Sequence, residues 1–233
     1  MNKKKIYISR REFITGAGIA TAAVFLTACK AQNGQTLTTS SPTTSTTTEV
    51  EATQFMGQKL TPIKQQNNNA ILGTQNIDRA IYNLTVDGLV NNPLTLTYDD
   101  LLAYPQISKL VSLNCVEGWI FTAKWTGLSL GDIFTNAGIK PEATIAIFHT
   151  NDDSNGFTSL DVSYLQNNNI IIALKDNDVT LPAERGFPLR VVADGKYGYK
   201  WAKWVTRIEL SDNTSFLGYW EGYGYSNNGD INS

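Results

Sequence analysis

Hydrophobic and polar residues form short runs from about residue 80 onward, and their period changes repeatedly. The stretch "YNLTVDGLV" (82–90) alternates and then reaches Asp87-Gly88, a pattern that predicts a strand followed by a turn. In "NPLTLTYDDLLAYP" (92–105), a short alternating run precedes acidic residues that suit the first turn of a helix beginning near Thr97. Many short strands with a few short helices predict the α+β class.

The same reasoning predicts elements further along the chain. "KLVSLNC" (109–115) is typical of a strand that delivers Cys115 at its C-terminal end. The other predictions are a helix in 129–139 that ends at Gly138, strands in 143–150 and 170–177, a brief helix in 159–168, and a hairpin in 188–210 that turns at Asp194-Gly195.

The first 28 residues have a different pattern. A basic start with adjacent Arg10 and Arg11 precedes an apolar run that is shorter than the roughly 20 residues needed to span a bilayer. This order predicts a signal peptide over residues 1–28, and the arginine pair favours twin-arginine export. The run ends in "LTAC", which resembles a bacterial lipobox with Cys29 as the lipidated residue. The alternative is an anchor helix that keeps a buried cysteine.

Residues 29–74 are rich in Thr, Ser, Asn and Gln and poor in large apolar groups. Such a stretch buries too little surface to offset its ordering entropy, so a flexible tether is predicted. One domain is predicted over residues 75–233. The implied location is outside the cytoplasm, on the outer face of the cytoplasmic membrane or in the periplasm, with membrane attachment through the lipid.

Charge and cysteine content narrow the function. The chain has 19 Lys and Arg and 21 Asp and Glu; the predicted signal peptide holds five and one of these, which leaves a net charge of −6. A chain without basic excess is not expected to bind nucleic acid. The chain has two cysteines, and a lipidated Cys29 could not pair with Cys115. Cys115 is then a buried hydrophobe, a nucleophile or a metal ligand.

A cluster of basic and aromatic residues lies between positions 185 and 204. Its basic members are Arg185, Arg190, Lys196, Lys200 and Lys203, interleaved with Tyr197, Tyr199, Trp201 and Trp204. Such a group can hold a phosphate and stack on a flat ring system. The alternative is the solvated face of an edge hairpin, which is the interpretation favoured for Lys196.

Five stretches together resemble the sulfite-oxidase-type molybdopterin-binding domain over most of residues 80–230. They are "LNCVEGW", "WTGLSLGDIFTNAGIKP", "FHTNDDSNGFTSLDVSYL", "RGFPLRVVADGKYGYKWAKWVTRIEL" and "GYWEGYGYSNNGDI". The resemblance implies mixed β-sheets with a few short helices and a molybdenum–molybdopterin cofactor. It also implies that Cys115 is the protein ligand of the metal, a role that suits a soft thiolate.

The resemblance also implies other cofactor contacts. Thr150 matches a position that touches the pterin, and Arg190 matches one that holds the cofactor phosphate. Trp201, Ala202 and Lys203 match a segment that wraps the same phosphate through backbone N–H groups and the lysine. Arg185 stands where relatives have histidine or asparagine, and it is the remaining candidate contact.

The residues after Cys115 bear on the reaction. Sulfite oxidases carry an arginine-bearing loop there, whereas this chain has Val116, Glu117, Gly118 and Trp119. Because an acidic Glu117 would repel sulfite, the chain is more similar to the exported bacterial reductase branch. This implies oxygen-atom transfer, with reduction of an S- or N-oxide on a small molecule or on a protein. Glu117 is a candidate catalytic proton donor, and a structural hydrogen bond is the alternative role.

The alternatives to a reductase are a sulfite-oxidising enzyme and a non-catalytic lipoprotein that uses the fold as a binding module. The chain shows no match to the haem domain or the C-terminal dimerisation domain of sulfite oxidases. A separate electron-transfer partner is therefore expected, either a membrane haem protein or a quinol-linked protein.

Overall fold

The computed structural model describes residues 48–153 and 155–231. Its strands are β1 (Gln54–Phe55), β2 (Gln58–Lys59), β3 (Asn83–Gly88), β4 (Leu94–Thr97), β5 (Ile107–Asn114), β6 (Ile120–Ser129), β7 (Ile145–Thr150), β8 (Thr158–Asp161), β9 (Ile171–Asp176), β10 (Val179–Thr180), β11 (Arg190–Val192) and β12 (Val205–Ser211). Its α-helices are α1 (Tyr98–Ala103), α2 (Leu130–Ala137) and α3 (Val162–Asn167). The predicted signal peptide and Cys29 lie outside the described residues.

Most strands belong to two sheets. The antiparallel sheet has the order β10–β9–β6–β5, and β11 also pairs with β9. The mixed sheet has the order β4–β3–β12–β7–β8, in which β12 runs parallel to β3 and antiparallel to β7. Short helices connect some of the strands, so the predicted α+β class with mixed sheets is confirmed. Across the part of the chain that the structure describes, no helix has the length and apolar character needed to cross a membrane.

Local sequence signals explain the first two helices. The Thr97 side chain accepts a hydrogen bond from the Asp100 amide, and the Asp100 carboxylate accepts one from the Thr97 amide, which forms a capping box. The left-handed Gly138 (φ 61°) ends α2, as predicted. The predicted helix in 159–168 begins instead as the last part of β8 and becomes helical only at Val162.

The hydrophobic core packs against the antiparallel sheet where β6 lies between β5 and β9. Trp125 and Trp201 are fully buried and meet edge to face at 5.7 Å. The guanidinium of Arg190 lies over both rings, 5.2 Å from the Trp125 centroid and 5.8 Å from that of Trp201. Two large rings therefore form a rigid floor beneath a buried positive charge.

The predicted hairpin in 188–210 is wrong. Strand β11 pairs with β9 in one sheet, whereas β12 pairs with β3 and β7 in the other. A 3₁₀ turn at Gly198–Lys200 and the left-handed Trp204 (φ 54°) redirect the chain between them. An isolated antiparallel bridge still joins Arg190 to Lys203, so these two residues are neighbours as expected.

Residues 48–74, which the sequence assigns to the tether, contain regular structure and belong to the same compact unit as the domain. Within residues 48–74, β1 and β2 form a small hairpin, and Leu60 is buried. Glu49 accepts hydrogen bonds from Lys175 and from the amide of Thr180, each on the antiparallel sheet. Carboxylates and apolar residues return to the sequence at residue 49, and these groups dock the segment on the domain.

Candidate active site

A cleft with about 820 Å³ of open space contains the predicted metal ligand. Its walls come from residues 67–71, the loop after β5, residues 198–204 and the C-terminal segment. The predicted site residues that line it are Cys115, Glu117, Arg190, Trp201 and Lys203. Separate stretches of sequence therefore converge on one cavity, a common feature of ligand sites.

Cys115 begins a tight loop between β5 and β6. Its amide donates to the Trp119 carbonyl at 3.0 Å, and its carbonyl accepts from the Gly118 amide at 3.0 Å. Gly118 has a φ of 89°, a conformation that favours glycine. The antiparallel pairing of β5 with β6 continues to Asn114 and Ile120, so the sheet fixes the start of the loop. The half-buried thiol thus has a well-defined position on the cleft wall.

Burial raises the pKa of the Cys115 thiol, and the negative charge of Glu117 acts in the same direction. The backbone N–H groups of Glu117 and Val116 act in the opposite direction, because they donate to the sulfur. The net rise keeps the free thiol protonated at neutral pH. A bound thiophilic metal would remove this proton, since a coordinating thiol is deprotonated.

Three buried cations lie together at the cleft: Arg185, Arg190 and Lys203. Arg190 donates to the backbone carbonyl of Arg185 at 3.2 Å. Burial, followed by the charges of Arg190 and Arg185, lowers the pKa of Lys203 to about 6. The nearby carboxylates of Asp176 and Asp152 offset this positive charge only in part.

These cations fit an anionic cofactor group. The Nε atoms of Arg185 and Arg190 are buried and have no hydrogen-bond partner in the structure. Buried polar groups without partners are uncommon, and each requires an explanation. A phosphate supplies negative charge and several acceptor oxygens. The oxygens can accept hydrogen bonds from the unpaired guanidinium donors, and the negative charge would stabilise the protonated form of the neighbouring Lys203. The residues present therefore suit the phosphate of molybdopterin.

An asparagine run in the supposed tether also contributes to the site. Asn67 accepts from Arg185 at 2.8 Å through its carbonyl, while Lys203 donates to the Asn69 carbonyl at 2.6 Å and to the Asn68 side chain. The Asp152 carboxylate anchors the following residues by accepting from two consecutive backbone amides, at 2.7 and 2.6 Å. This wall was not predicted, because the polar run was interpreted by its composition alone.

Glu117 is exposed on the cleft rim, where its carboxylate accepts a hydrogen bond from the Trp119 indole at 2.9 Å. This bond, and a second from Asn69, lower the pKa of Glu117 below its ordinary value. A general acid that works near neutral pH needs a raised pKa. The hydrogen bonds of Glu117 are those expected for the structural role, and proton donation stays a prediction.

The other predicted contacts are not among the residues that line the cleft. Thr150 is buried, and its hydroxyl accepts from the Asp153 amide at 3.0 Å. Ala202 is buried, and its carbonyl accepts from the Val191 amide at 2.8 Å. The Arg185 side chain lies beside the cleft without lining it. These three residues keep their predicted cofactor roles as predictions.

The interpretation of Lys196 as a solvated residue is wrong. Its side chain is buried and pairs with Asp230 at 2.5 Å, and its ammonium also lies 4.7 Å from the Tyr164 ring centroid. Asp230 lies 34 positions further along the chain, so the local pattern could not indicate this partner.

Among residues 48–153 and 155–231, no group of three or more His, Cys, Asp or Glu could hold a metal ion. A metal held by one thiolate therefore needs its remaining ligands from a cofactor. The fold thus defines a cleft that suits a large anionic cofactor, with Cys115 as the predicted metal ligand.

Comparison with known proteins gives the same class. The family described as "Oxidoreductase molybdopterin binding domain" matches residues 71–220. The chain belongs to this family and is a molybdopterin-dependent oxidoreductase, as the sequence predicted.

Two curated relatives show moderate identity. The chain is 34% identical over 154 residues to an uncharacterized oxidoreductase, YuiH, of Bacillus subtilis, with 66% of this chain and 76% of the relative covered. It is 33% identical over 150 residues to a putative protein-methionine-sulfoxide reductase subunit, YedZ1, of Azospira oryzae, with 64% and 56% covered. The chain thus spans about three quarters of one relative and little more than half of the other.

A longer and more distant match covers nearly the whole chain. The protein-methionine-sulfoxide reductase catalytic subunit MsrP of Campylobacter jejuni is 24% identical over 242 aligned positions, with 97% of this chain and 80% of the relative covered. Among solved structures, the sulfane dehydrogenase SoxCD of Paracoccus pantotrophus matches with a TM-score of 0.57 and 28% identity. That match covers 60% of this chain and 41% of the other, and it supports the sulfite-oxidase-type fold.

Proposed function

We propose that this protein is an extracytoplasmic, lipid-anchored oxidoreductase that reduces an S- or N-oxide. The observation that carries the proposal is the composition of the rim beside Cys115. No Lys or Arg occurs between Cys115 and Lys124, and the charged residue in that stretch is Glu117. Since a carboxylate is negative near neutral pH, the rim disfavours an anionic substrate such as sulfite and accepts a neutral oxide.

The protein's own residues divide the work. Cys115 would bind the metal, while Arg190 and Lys203 would hold the cofactor phosphate and so fix the reactive end beside the rim. When bound, the molybdenum cofactor supplies two-electron oxygen-atom transfer. The aromatic side chains of the cleft exclude water from one side of a bound substrate, which strengthens the polar contacts on the other.

Reduction of a sulfoxide consumes two electrons and two protons and yields a sulfide and water. The expected electron donor is a separate protein, either a membrane haem protein or a quinol-linked one. Relatives named as subunits of a methionine-sulfoxide reductase are consistent with a multi-protein system. They also support a sulfoxide, free or carried on a protein, as the substrate class.

An assay with a reduced viologen dye as electron donor tests the reaction. We expect protein purified from a host that makes molybdopterin to oxidise the dye in the presence of dimethyl sulfoxide, methionine sulfoxide or trimethylamine N-oxide. We expect no reduction of ferricyanide with sulfite. Sulfite oxidation without oxide reduction would replace this proposal with the opposite direction of transfer.

The proposed location depends on Cys29, which lies outside the described residues. The basic start, the short apolar run and the "LTAC" sequence support lipidation at this residue. We expect Cys29→Ala to release the protein from the membrane fraction or to block its maturation. Full membrane retention of a processed Cys29→Ala protein would contradict the lipid anchor.

A further inference from the structure

The C-terminal segment, residues 212–231, provides two cleft-lining rings, Trp220 and Tyr225. Within its described residues the regular structure is a single 3₁₀ turn at Glu221–Tyr223. A segment without a strand ladder opens easily, so other contacts must keep large rings in a fixed position. The residues that make those contacts therefore control the shape of the cleft.

The contacts converge on Lys200. Its ammonium donates to the Glu221 carboxylate at 2.5 Å and to the Asn227 carbonyl at 2.8 Å. The Thr158 hydroxyl donates to the same carboxylate oxygen at 2.5 Å. Both charged side chains are fully buried. One ammonium thus fixes the segment directly after Trp220 and again two residues after Tyr225.

Two glycines show how closely the segment packs on this ion pair. A Cβ on Gly218 would collide with the Phe157 carbonyl oxygen and would lie 2.7 Å from the Glu221 carboxylate. A Cβ on Gly229 would lie 2.5 Å from the Lys200 side chain. Only glycine permits such close approach at both positions. The segment therefore packs closely against Glu221 at Gly218 and against Lys200 at Gly229.

The rings held in this way contact one another. Trp220 and Tyr225 meet edge to face at 5.8 Å, and Tyr225 lies 5.2 Å from Tyr199, which also lines the cleft. Trp119, from the loop after Cys115, lines the same cleft. Aromatic residues from separate segments therefore line the cleft that contains the Cys115 thiol. We call Trp220, Tyr225 and Tyr199 the aromatic wall.

We infer that the buried Lys200–Glu221 pair positions the aromatic wall, and that the wall favours substrates with an aromatic or apolar group beside the reacting oxide. The inference rests on the proposed reduction of an oxide and adds the residues that select among such substrates. Glu221 and Lys200 are positioning residues, since they act through Trp220 and Tyr225. Flat apolar groups gain from edge and face contacts with such rings.

The test compares methyl phenyl sulfoxide with dimethyl sulfoxide. In Glu221→Gln we expect KM and Kd for methyl phenyl sulfoxide to rise about tenfold, which corresponds to the loss of one aromatic contact. We expect kcat, the constants for dimethyl sulfoxide and the molybdenum content to change less than about threefold, because only uniform binding is lost. The matched control is Asp230→Asn, which removes the other ion pair of the same segment, with Lys196, outside the cleft.

A second variant keeps the test decisive if Glu221→Gln does not fold. Trp220→Leu alters the aromatic wall directly, and we expect it to raise KM and Kd for methyl phenyl sulfoxide by the same factor. Kd is measured by quenching of tryptophan fluorescence, without turnover. Binding without reduction by the unmodified protein would contradict the proposed reaction but not the wall. Unchanged preference for methyl phenyl sulfoxide in both variants, or no binding by the unmodified protein, would overturn the inference.

Discussion

Lys200 and Lys203 lie three residues apart and are both buried, yet their electrostatic surroundings differ. Burial lowers the pKa of both lysines. For Lys200, the Glu221 carboxylate offsets that effect through a direct ion pair. For Lys203, the neighbouring Arg190 and Arg185 add to it. A balanced buried charge belongs to the fold, whereas an excess of one sign marks the place where a ligand supplies the other.

The largest effect is expected in the ligand-binding region, which contains Lys203 and Cys115, when Cys115 is changed. Cys115→Ser should lower the turnover of an oxide by more than about a hundredfold, the upper end found for residues that merely support a metal ligand. The thermal unfolding midpoint should remain close to that of the unmodified protein, because the thiol is only half-buried. Turnover by the Cys115→Ser variant at the unmodified rate would exclude the metal-ligand role.

In the region of the balanced Lys200–Glu221 ion pair, Lys200→Met should lower the free energy of unfolding. The change leaves the fully buried Glu221 carboxylate without its cation. Removing one partner of a buried pair costs about 3–5 kcal/mol. Urea unfolding should show this loss in the free energy of unfolding, while the protein that remains folded binds molybdopterin. A loss of cofactor with unchanged stability would reverse the assignment of the two lysines.

The phosphate site is tested by Arg190→Ala. A charge-assisted hydrogen bond contributes about 1.5–3 kcal/mol, so its loss should weaken cofactor retention by about ten- to a hundredfold. Pterin content after purification measures this effect. Arg79→Ala is the matched control, because Arg79 is an exposed arginine paired with Asp99 on the surface. Equal pterin content in the two variants would remove Arg190 from the phosphate site.

The smallest expected effect is a pH dependence of the cofactor-free protein. The pKa of folded Lys203 is about 6, against an ordinary value of 10.5, so the unfolded chain binds more protons between these values. The free energy of unfolding should therefore rise with pH from about 6 upward. Below about pH 6 folded Lys203 is protonated, and the full destabilisation from its buried charge should be present. Asp152 acts in the opposite direction without cancelling the shift.

Urea unfolding between about pH 5.5 and 8.5, in buffers without phosphate, measures this slope. Lys203→Met should reduce it, and the same change at the exposed Lys59 serves as the control. An identical slope in the Lys203→Met protein would show that the pH dependence of the free energy of unfolding does not come from Lys203.

Features encoded by neighbouring residues were predictable from the sequence. The capping box at Thr97 and the left-handed Gly138 each depend on contacts within four residues. Strand β5 and the position of Cys115 after it follow from an alternating pattern and a turn. The cofactor class came from the resemblance and was confirmed by the family match.

Features that depend on distant partners were not predictable. The Asp194-Gly195 signal is typical of a hairpin, but β11 and β12 find better partners in different sheets. The sequence around Lys196 is typical of an exposed strand, but its ion pair with the distant Asp230 buries the side chain. The tie between Lys203 and the asparagine run joins residues 134 or more positions apart. Tertiary pairing decides such cases against local propensity.

The binding of the cofactor by Cys115 and the buried cations is tested by the molybdenum and pterin content of protein purified from a host that makes molybdopterin. The unmodified protein should contain close to one molybdenum and one pterin for each chain, and Arg190→Ala should lose most of both. Folded unmodified protein that contains neither molybdenum nor pterin would contradict the conclusion that Cys115 and the buried cations together hold this cofactor.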